Sequence, residues 1–79
     1  MSDQVTVRYW AGARRAAGRD SELISARTLG ELLTELSQRA ELESVLAASS
    51  FLVDGVAATP GTTLEPGQIV DVLPPFAGG

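Results

Sequence analysis

The residues of this chain that could take part in chemistry lie at its C-terminal end. Leu73 is followed by two prolines, and the sequence ends in two glycines. Proline cannot continue a helix and lacks the donor needed in a sheet, so this segment is expected to project as a tail. Glycine has no side chain, which would allow the carboxylate of Gly79 to enter a narrow channel. The tail residues are Pro74, Pro75, Phe76, Ala77, Gly78 and Gly79, and we predict that Gly79 is the reactive one.

Several reactive types of side chain are absent from the sequence, which leaves Gly79 as the main candidate for chemistry. The 79 residues include no cysteine and no histidine, and every basic residue is an arginine. Cysteine nucleophiles, a persulfide carried on the chain, histidine general bases and lysine Schiff bases are therefore excluded. No metal-ligand spacing is present, so neither a bound metal nor a bound cofactor is expected. The chain is not expected to be an autonomous enzyme, and the alternative interpretation of its tail is a frayed terminus.

Net charge and hydropathy limit the environment of the protein. The formal charge of −4 argues against nucleic acid as the main partner and suits docking on a basic protein. No basic, apolar leader and no stretch of membrane-spanning length occurs, so we expect a cytoplasmic protein without a membrane partner.

The first half of the chain predicts strands and one main helix. Residues Gln4 to Trp10 alternate as in a half-buried strand, and a weaker second strand covers Glu22 to Ser25. Residues 11–18 between them could be a helical turn or a loop. A capping box at Thr28 and Glu31 opens a helix with an apolar stripe. That stripe comprises Leu29, Leu32, Leu33, Leu36 and Ala40, and a continuation or second helical turn is suggested by Leu42, Val45 and Leu46.

The second half predicts a hairpin, two turns and a last strand. Asp54-Gly55 between short apolar runs is typical of a type I′ hairpin. Pro-Gly pairs mark turns at 59–61 and 65–67, with Leu64 as a core contact between them. Ile69 to Leu73 forms the final strand, expected beside the first at the centre of the sheet. The fold class is therefore α+β, a mixed sheet of about five strands with one main helix on one face, formed by residues 1–73 and followed by a flexible tail, 74–79.

Alternation also predicts a docking surface on the face of the sheet that carries no helix. Val70 and Val72 are assigned to the helix side, and Asp71 to the side that meets water or a partner. Arg8 and Asp71 could pair there across neighbouring strands, and such a pair, if exposed, would contribute only about 0 to 1 kcal/mol. Scattered exposed apolar residues are the alternative interpretation. The predicted partner-binding residues are Trp10, Leu52, Ile69, Leu73 and Phe76.

Three stretches give the chain a resemblance to a known family. They are Val7-Arg8-Tyr9-Trp10-Ala11-Gly12-Ala13-Arg14, Thr28-Leu29-Gly30-Glu31-Leu32-Leu33 and Pro74-Pro75-Phe76-Ala77-Gly78-Gly79. Together they resemble the ubiquitin-like sulfur carriers of the β-grasp fold, and among these the small subunits of molybdopterin synthase. Two positions depart from the usual pattern: Phe76 replaces a smaller residue, and Gly67-Gln68 stands where Gly-Asp is common.

The resemblance implies a function in which this chain supplies the reagent and other proteins supply the catalysts. A ubiquitin-activating-type enzyme would use ATP to adenylate Gly79, and a persulfide donor would convert the product into a thiocarboxylate. The large subunit of molybdopterin synthase would then bind the tail and transfer its sulfur to cyclic pyranopterin monophosphate. This chain would be the non-catalytic sulfur-donor subunit.

Other functions remain compatible with the same sequence. A sulfur carrier for thiamine or cysteine biosynthesis would have the same tail and a different acceptor. A ubiquitin-like protein modifier would be conjugated through Gly79. An inert binding module with a disordered end is the third alternative.

Overall fold

The computed structural model describes residues 4–75. Their five strands are β1 (Gln4–Tyr9), β2 (Ser21–Ser25), β3 (Ser50–Val53), β4 (Val56–Ala57) and β5 (Ile69–Leu73). Their three helices are α1 (Ala11–Ala17), α2 (Leu29–Leu36) and α3 (Ala40–Ala47).

The strands form one mixed sheet in the order β2-β1-β5-β3-β4. β1 and β5 run parallel, with Val7 opposite Val70, and the other neighbouring strands are antiparallel. The predicted pairing of the first and last strands is confirmed. Because both strands end at the same edge of the sheet, the Trp10 N–H donates to the Val72 carbonyl at 3.3 Å. The segment that follows Leu73 therefore begins beside Trp10.

The core lies between one face of the sheet and the helices. Alternation buries Val5, Val7 and Tyr9 of β1 against Val70 and Val72 of β5, as predicted. The buried residues that the helices add to the same cluster are Ala13, Leu29, Leu32, Leu36, Leu42 and Leu46. Because these residues share one cluster, the opposite face of the sheet carries none of the described helices.

The start of α2 confirms the predicted capping signal with one shift. The Glu31 N–H donates to Thr28 Oγ1 at 3.1 Å. The Glu31 carboxylate accepts from the N–H of Arg27 at 2.9 Å, one residue before the cap. Both side chains of the capping box thus form hydrogen bonds, but Glu31 binds the N–H of Arg27 where the box predicts that of Thr28.

The main helix is shorter than the apolar stripe indicates. α2 ends at Leu36, and Arg39 has an extended backbone that begins a separate helix, α3. The assignment of Ala40 to the buried stripe is wrong, because the break rotates this residue into solvent. Leu42 and Leu46 are buried in the second helical segment, as the continuation predicted.

The turns follow their sequence signatures. Asp54 and Gly55 both have positive φ angles, 49° and 83°, as a type I′ hairpin requires. Gly67 has φ 88°, and the adjacent Gln68 N–H donates to the Glu65 carbonyl at 3.2 Å. The segment 11–18, left open between turn and loop, is α1 closed by Gly18 in the left-handed conformation.

Candidate functional site

The predicted docking residues within the described part of the chain lie together on the face without helices. We call this the open face. Its central row runs across three strands, with Arg8 opposite Asp71 and Asp71 opposite Leu52. Ile69 and Leu73 flank Asp71 along β5 and are half-buried, as is Leu52. Trp10 stands at the end of this face with 47% of its surface exposed.

The tail leaves from the same end of the open face. β5 ends at Leu73, followed by a half-buried Pro74 and an exposed Pro75. The prolines end the strand as predicted. The other predicted tail residues, Phe76, Ala77, Gly78 and Gly79, lie outside the described residues, so the predicted place of Phe76 on the docking surface stays a prediction.

Asp71 binds Arg8, as the sequence predicted, and also Trp10, which the sequence did not indicate. Its Oδ1 accepts from Arg8 Nε at 2.7 Å and from the Trp10 indole N–H at 2.9 Å, and its Oδ2 accepts from Arg8 at 3.0 Å. The Arg8 guanidinium also lies 5.6 Å from the centre of the Trp10 ring, within cation–π range. One carboxylate therefore fixes both the guanidinium and the indole beside the tail root.

The expected exposure of Asp71 is wrong, although its face is correct. Arg8 and Trp10 fold over the carboxylate and leave its side chain only 7% exposed. The hydrogen bonds from Arg8 hold the pKa of Asp71 below its ordinary value, against the opposing effect of burial, and Trp10 adds to the lowering. The carboxylate of the Arg8–Asp71 pair is thus shielded from solvent, whereas both side chains of the Arg14–Asp20 pair, 3.6 Å apart, are exposed.

A shallow cavity of about 240 Å³ lies beside this cluster. It is smaller than the usual pocket for a small molecule, so it suits a partner's side chain better than a free substrate. Its walls come from the end of β1, from α1 and from the start of β2. The lining residues are Arg8, Tyr9, Trp10, Arg14, Asp20 and Ser21.

A second polar cluster, missed by sequence reasoning, lies on the helix side of the sheet. Glu22 accepts two bonds of 2.7 Å from Arg39 and one from the hydroxyl of Tyr9, and Arg19 lies 3.4 Å away. The bonds from Arg39 lower the pKa of Glu22, while burial, followed by the Glu22 contact, raises the pKa of Tyr9. Because Glu22 and Arg39 are 17 residues apart, no local pattern indicates their contact.

Leu23 is a further surface residue that the sequence analysis did not select. It lies on β2 opposite Thr6 and is 60% exposed on the open face. Its alternation with the buried Ile24 was the available signal, but the second strand was too weakly marked to use it.

Residues 4–75 contain neither a metal-binding cluster of side chains nor a membrane-spanning helix. No group of three or more acidic side chains is placed to hold a metal ion in this part of the chain. None of the helices described is long and apolar enough to cross a membrane.

Sheet order, parallel central strands and helices packed on one face define a β-grasp, ubiquitin-like domain. The chain belongs to the ThiS family, which it matches over residues 7–79. No curated protein sequence is significantly similar to it.

Solved structures with this fold come from several kinds of ubiquitin-like protein. A Pyrococcus furiosus protein assigned as molybdopterin converting factor subunit 1 has a TM-score of 0.85 and 25% identity, covering 95% of this chain and all of the other. A Helicobacter pylori complex of subunits 1 and 2 of molybdopterin-converting factor has a TM-score of 0.78 and 25% identity, covering 96% of this chain and 99% of the other. The small archaeal modifier protein 1 of Haloferax volcanii has a TM-score of 0.84 and 21% identity, covering 95% of this chain and all of the other. This similarity shows a shared fold.

Proposed function

We propose that this chain is the small subunit of a molybdopterin synthase, a sulfur carrier whose reactive group is the carboxylate of Gly79. The observation that carries the proposal is the extent of the family match, which runs through residue 79 and so includes the Pro-Pro-Phe-Ala-Gly-Gly tail. The described tail root supports it, because β5 ends in two prolines beside a rigid cluster of Asp71, Arg8 and Trp10.

The chemistry requires activation by another protein. A carboxylate is ionised at neutral pH and is a poor electrophile, since its pKa is near 3.5. In the proposal an adenylating enzyme joins Gly79 to AMP from ATP and releases pyrophosphate. Attack by a persulfide releases AMP, and reduction of the resulting disulfide by a thiol leaves a thiocarboxylate. ATP is consumed by the activating enzyme, in the cytoplasm, and no cofactor resides on this chain.

The choice of molybdopterin synthase rests on the complex formed by one relative. The Helicobacter pylori protein at 25% identity is found with subunit 2 of molybdopterin-converting factor. By analogy the open face of this chain docks on a large subunit, which receives the tail and provides the catalytic side chains for sulfur transfer to cyclic pyranopterin monophosphate. Trp10, Leu73 and the half-buried Leu52 and Ile69 are the proposed contacts among the described residues.

Intact mass tests the carrier chemistry. The chain is incubated with its cognate adenylating enzyme, ATP and a persulfide donor, and we expect a species in which one oxygen is replaced by sulfur. The unmodified mass in the same spectrum reports whether the chain ends at Gly79. A variant lacking Gly79 should fold normally and gain no sulfur. Sulfur gained equally by both proteins would contradict the assignment of Gly79.

Complex formation tests the pathway. The thiocarboxylated chain should bind the cognate large subunit of molybdopterin synthase and convert cyclic pyranopterin monophosphate to the dithiolene product. A thiocarboxylate that forms but serves only thiamine or cysteine synthesis would refute the pathway and leave the carrier chemistry intact. Linkage of Gly79 to lysines of other proteins, seen in tryptic peptides, would instead support a protein modifier.

A further inference from the structure

The outer edge of β2 is a surface that the proposed function leaves unused. β2 pairs with β1 and with no other described strand. The N–H of Tyr9 donates to the carbonyl of Asp20 at 2.8 Å, which fixes the phase of this antiparallel ladder. Glu22 and Ile24, two and four residues after Asp20, therefore direct their backbone N–H and C=O groups towards β1 as Asp20 does. The outward N–H and C=O groups belong to Ser21, Leu23 and Ser25, all exposed.

This edge lacks the features that usually protect an outer strand. Edge strands are commonly very short or carry lysine, proline or a bulge. β4, at the other edge, is two residues long, whereas β2 has five residues and the sequence Ser-Glu-Leu-Ile-Ser. Its outward residues are two serines and Leu23, and the single charge, on Glu22, is held by Arg39. The edge is thus able to accept another strand along its whole length.

Charge indicates which strand fits. The chain is acidic overall, yet arginines border this edge. Arg19 precedes β2 and Arg27 follows it, while the acidic Asp20 and Glu22 are paired with Arg14 and Arg39. A second copy of the chain is disfavoured, because antiparallel pairing centred on Leu23 would place Arg19 opposite Arg27 of the copy. An acidic partner meets opposite charges at both ends of the strand.

We propose that the β2 edge binds an extended segment of a partner protein as a sixth strand of this sheet. The segment carries an apolar side chain beside Leu23 and acidic residues at its ends, near Arg19 and Arg27. Main-chain hydrogen bonds to Ser21, Leu23 and Ser25 supply the docking, and the charged ends supply the specificity. β1 lies between this edge and β5, so the added strand leaves Trp10 and Leu73 uncovered.

Titration of the isotope-labelled full chain with a synthetic peptide tests this surface by nuclear magnetic resonance. The probe alternates valine and threonine and has aspartates at both ends. We expect chemical-shift changes and slowed hydrogen exchange at the amides of Ser21, Leu23 and Ser25. A peptide with a central proline should not bind, because proline removes a ladder donor. Lysines in place of the aspartates should weaken binding by about tenfold or more.

Matched variants test whether the peptide binds at β2 or elsewhere on the surface. Leu23→Glu should weaken peptide binding by about tenfold or more, because it replaces the central apolar contact with a charge that has no partner on the peptide. Val56→Glu, at an equally exposed apolar residue of β4, should leave binding unchanged. Amide spectra of both variants report that the fold is retained.

Several results would overturn the proposal. They are shift changes centred on Trp10 instead of β2, equal binding of the proline peptide, or no binding up to the solubility limit of the probe. Shifts at β2 that depend on protein concentration without peptide would show that a second copy occupies the edge. Each of these outcomes can occur with sulfur transfer from Gly79 intact, so they do not bear on the proposed function.

Discussion

Asp71 shows how far a single carboxylate shapes the candidate site. Alternation along β5 is enough to place it on the open face, but its burial depends on Arg8 and Trp10, more than 60 residues earlier in the chain. The ion pair, the indole hydrogen bond and the cation–π contact then hold Arg8 and Trp10 together beside the tail root. Because the carboxylate is covered, its removal affects stability as well as surface shape.

Asp71→Ala should therefore lower the stability of the protein and also change the surface around Trp10. We expect the free energy of unfolding to fall by about 1–3 kcal/mol, the usual cost of losing hydrogen bonds to a buried charged group. Trp10 is the single tryptophan, so its fluorescence in the folded state should shift when the indole loses its acceptor. Urea unfolding followed by fluorescence measures both effects.

Asp20→Ala is the matched control for this experiment. Its carboxylate forms an exposed pair with Arg14, worth about 0–1 kcal/mol at most. If the two variants lose equal stability and neither changes the folded-state fluorescence, Asp71 does not hold Trp10 in place.

At the scale of elements, the parts predicted from sequence are those set by short-range signals. Alternation predicted β1 and β5, the Asp54-Gly55 pair predicted the hairpin, and the capping signal predicted the start of α2. The apolar stripe did not show the break at residues 37–39. At that break Arg39 has an extended backbone, and its side chain binds Glu22 on β2. The missed features share this origin, because each depends on contacts between distant segments.

Gly55→Ala tests the hairpin between β3 and β4. Gly55 has φ 83°, a conformation that costs an L-residue about 1–2 kcal/mol. We expect that loss in unfolding free energy, measured by urea denaturation. Gly61→Ala is the control, since Gly61 has no positive φ and open space where the Cβ would stand. A loss of similar size in both variants would contradict the role of the turn.

Glu22→Gln tests the contact that joins β2 to the segment between α2 and α3. The pKa of Glu22 is lowered in the folded state by Arg39, so the unfolded state binds more protons as the pH falls. Its contribution to stability is present above the ordinary glutamate pKa of about 4.3 and is lost as the pH drops towards the lowered value. The variant should be less stable at pH 7 by about 1–2 kcal/mol, allowing for partial exposure.

The pH dependence separates the charge of Glu22 from its shape. Between about pH 6 and pH 3 the wild type should lose more stability than Glu22→Gln, because glutamine does not titrate. Glu43→Gln, an exposed carboxylate on α3, should follow the wild type. Parallel curves for all three proteins would show that the Arg39 contact does not stabilise the charged form.

The described surface of the molecule has two regions of different chemistry. The open face is centred on a neutralised ion pair and presents an aromatic ring and half-buried aliphatic side chains next to the tail root. The β2 edge offers free backbone groups and a basic border. An apolar, aromatic surface suits tight docking, whereas a charged edge suits recognition of an acidic segment. The sequence predicted the first region from alternation and missed the second, because a free edge follows only from strand order.

Trp10→Ala tests the open face as the surface that meets the large subunit. Trp10 is 47% exposed and held over Asp71, so it is a preorganised aromatic anchor beside the departing tail. We expect affinity for the cognate large subunit to fall by about tenfold or more, measured by calorimetry with the full chain. Unfolding free energy should change by about 1 kcal/mol, since Asp71 keeps its bonds to Arg8. Val56→Ala should leave affinity unchanged, because Val56 lies on the edge strand β4. Unaltered affinity of Trp10→Ala would remove the open face from the interface, and a much larger loss of stability would make Trp10 a structural residue.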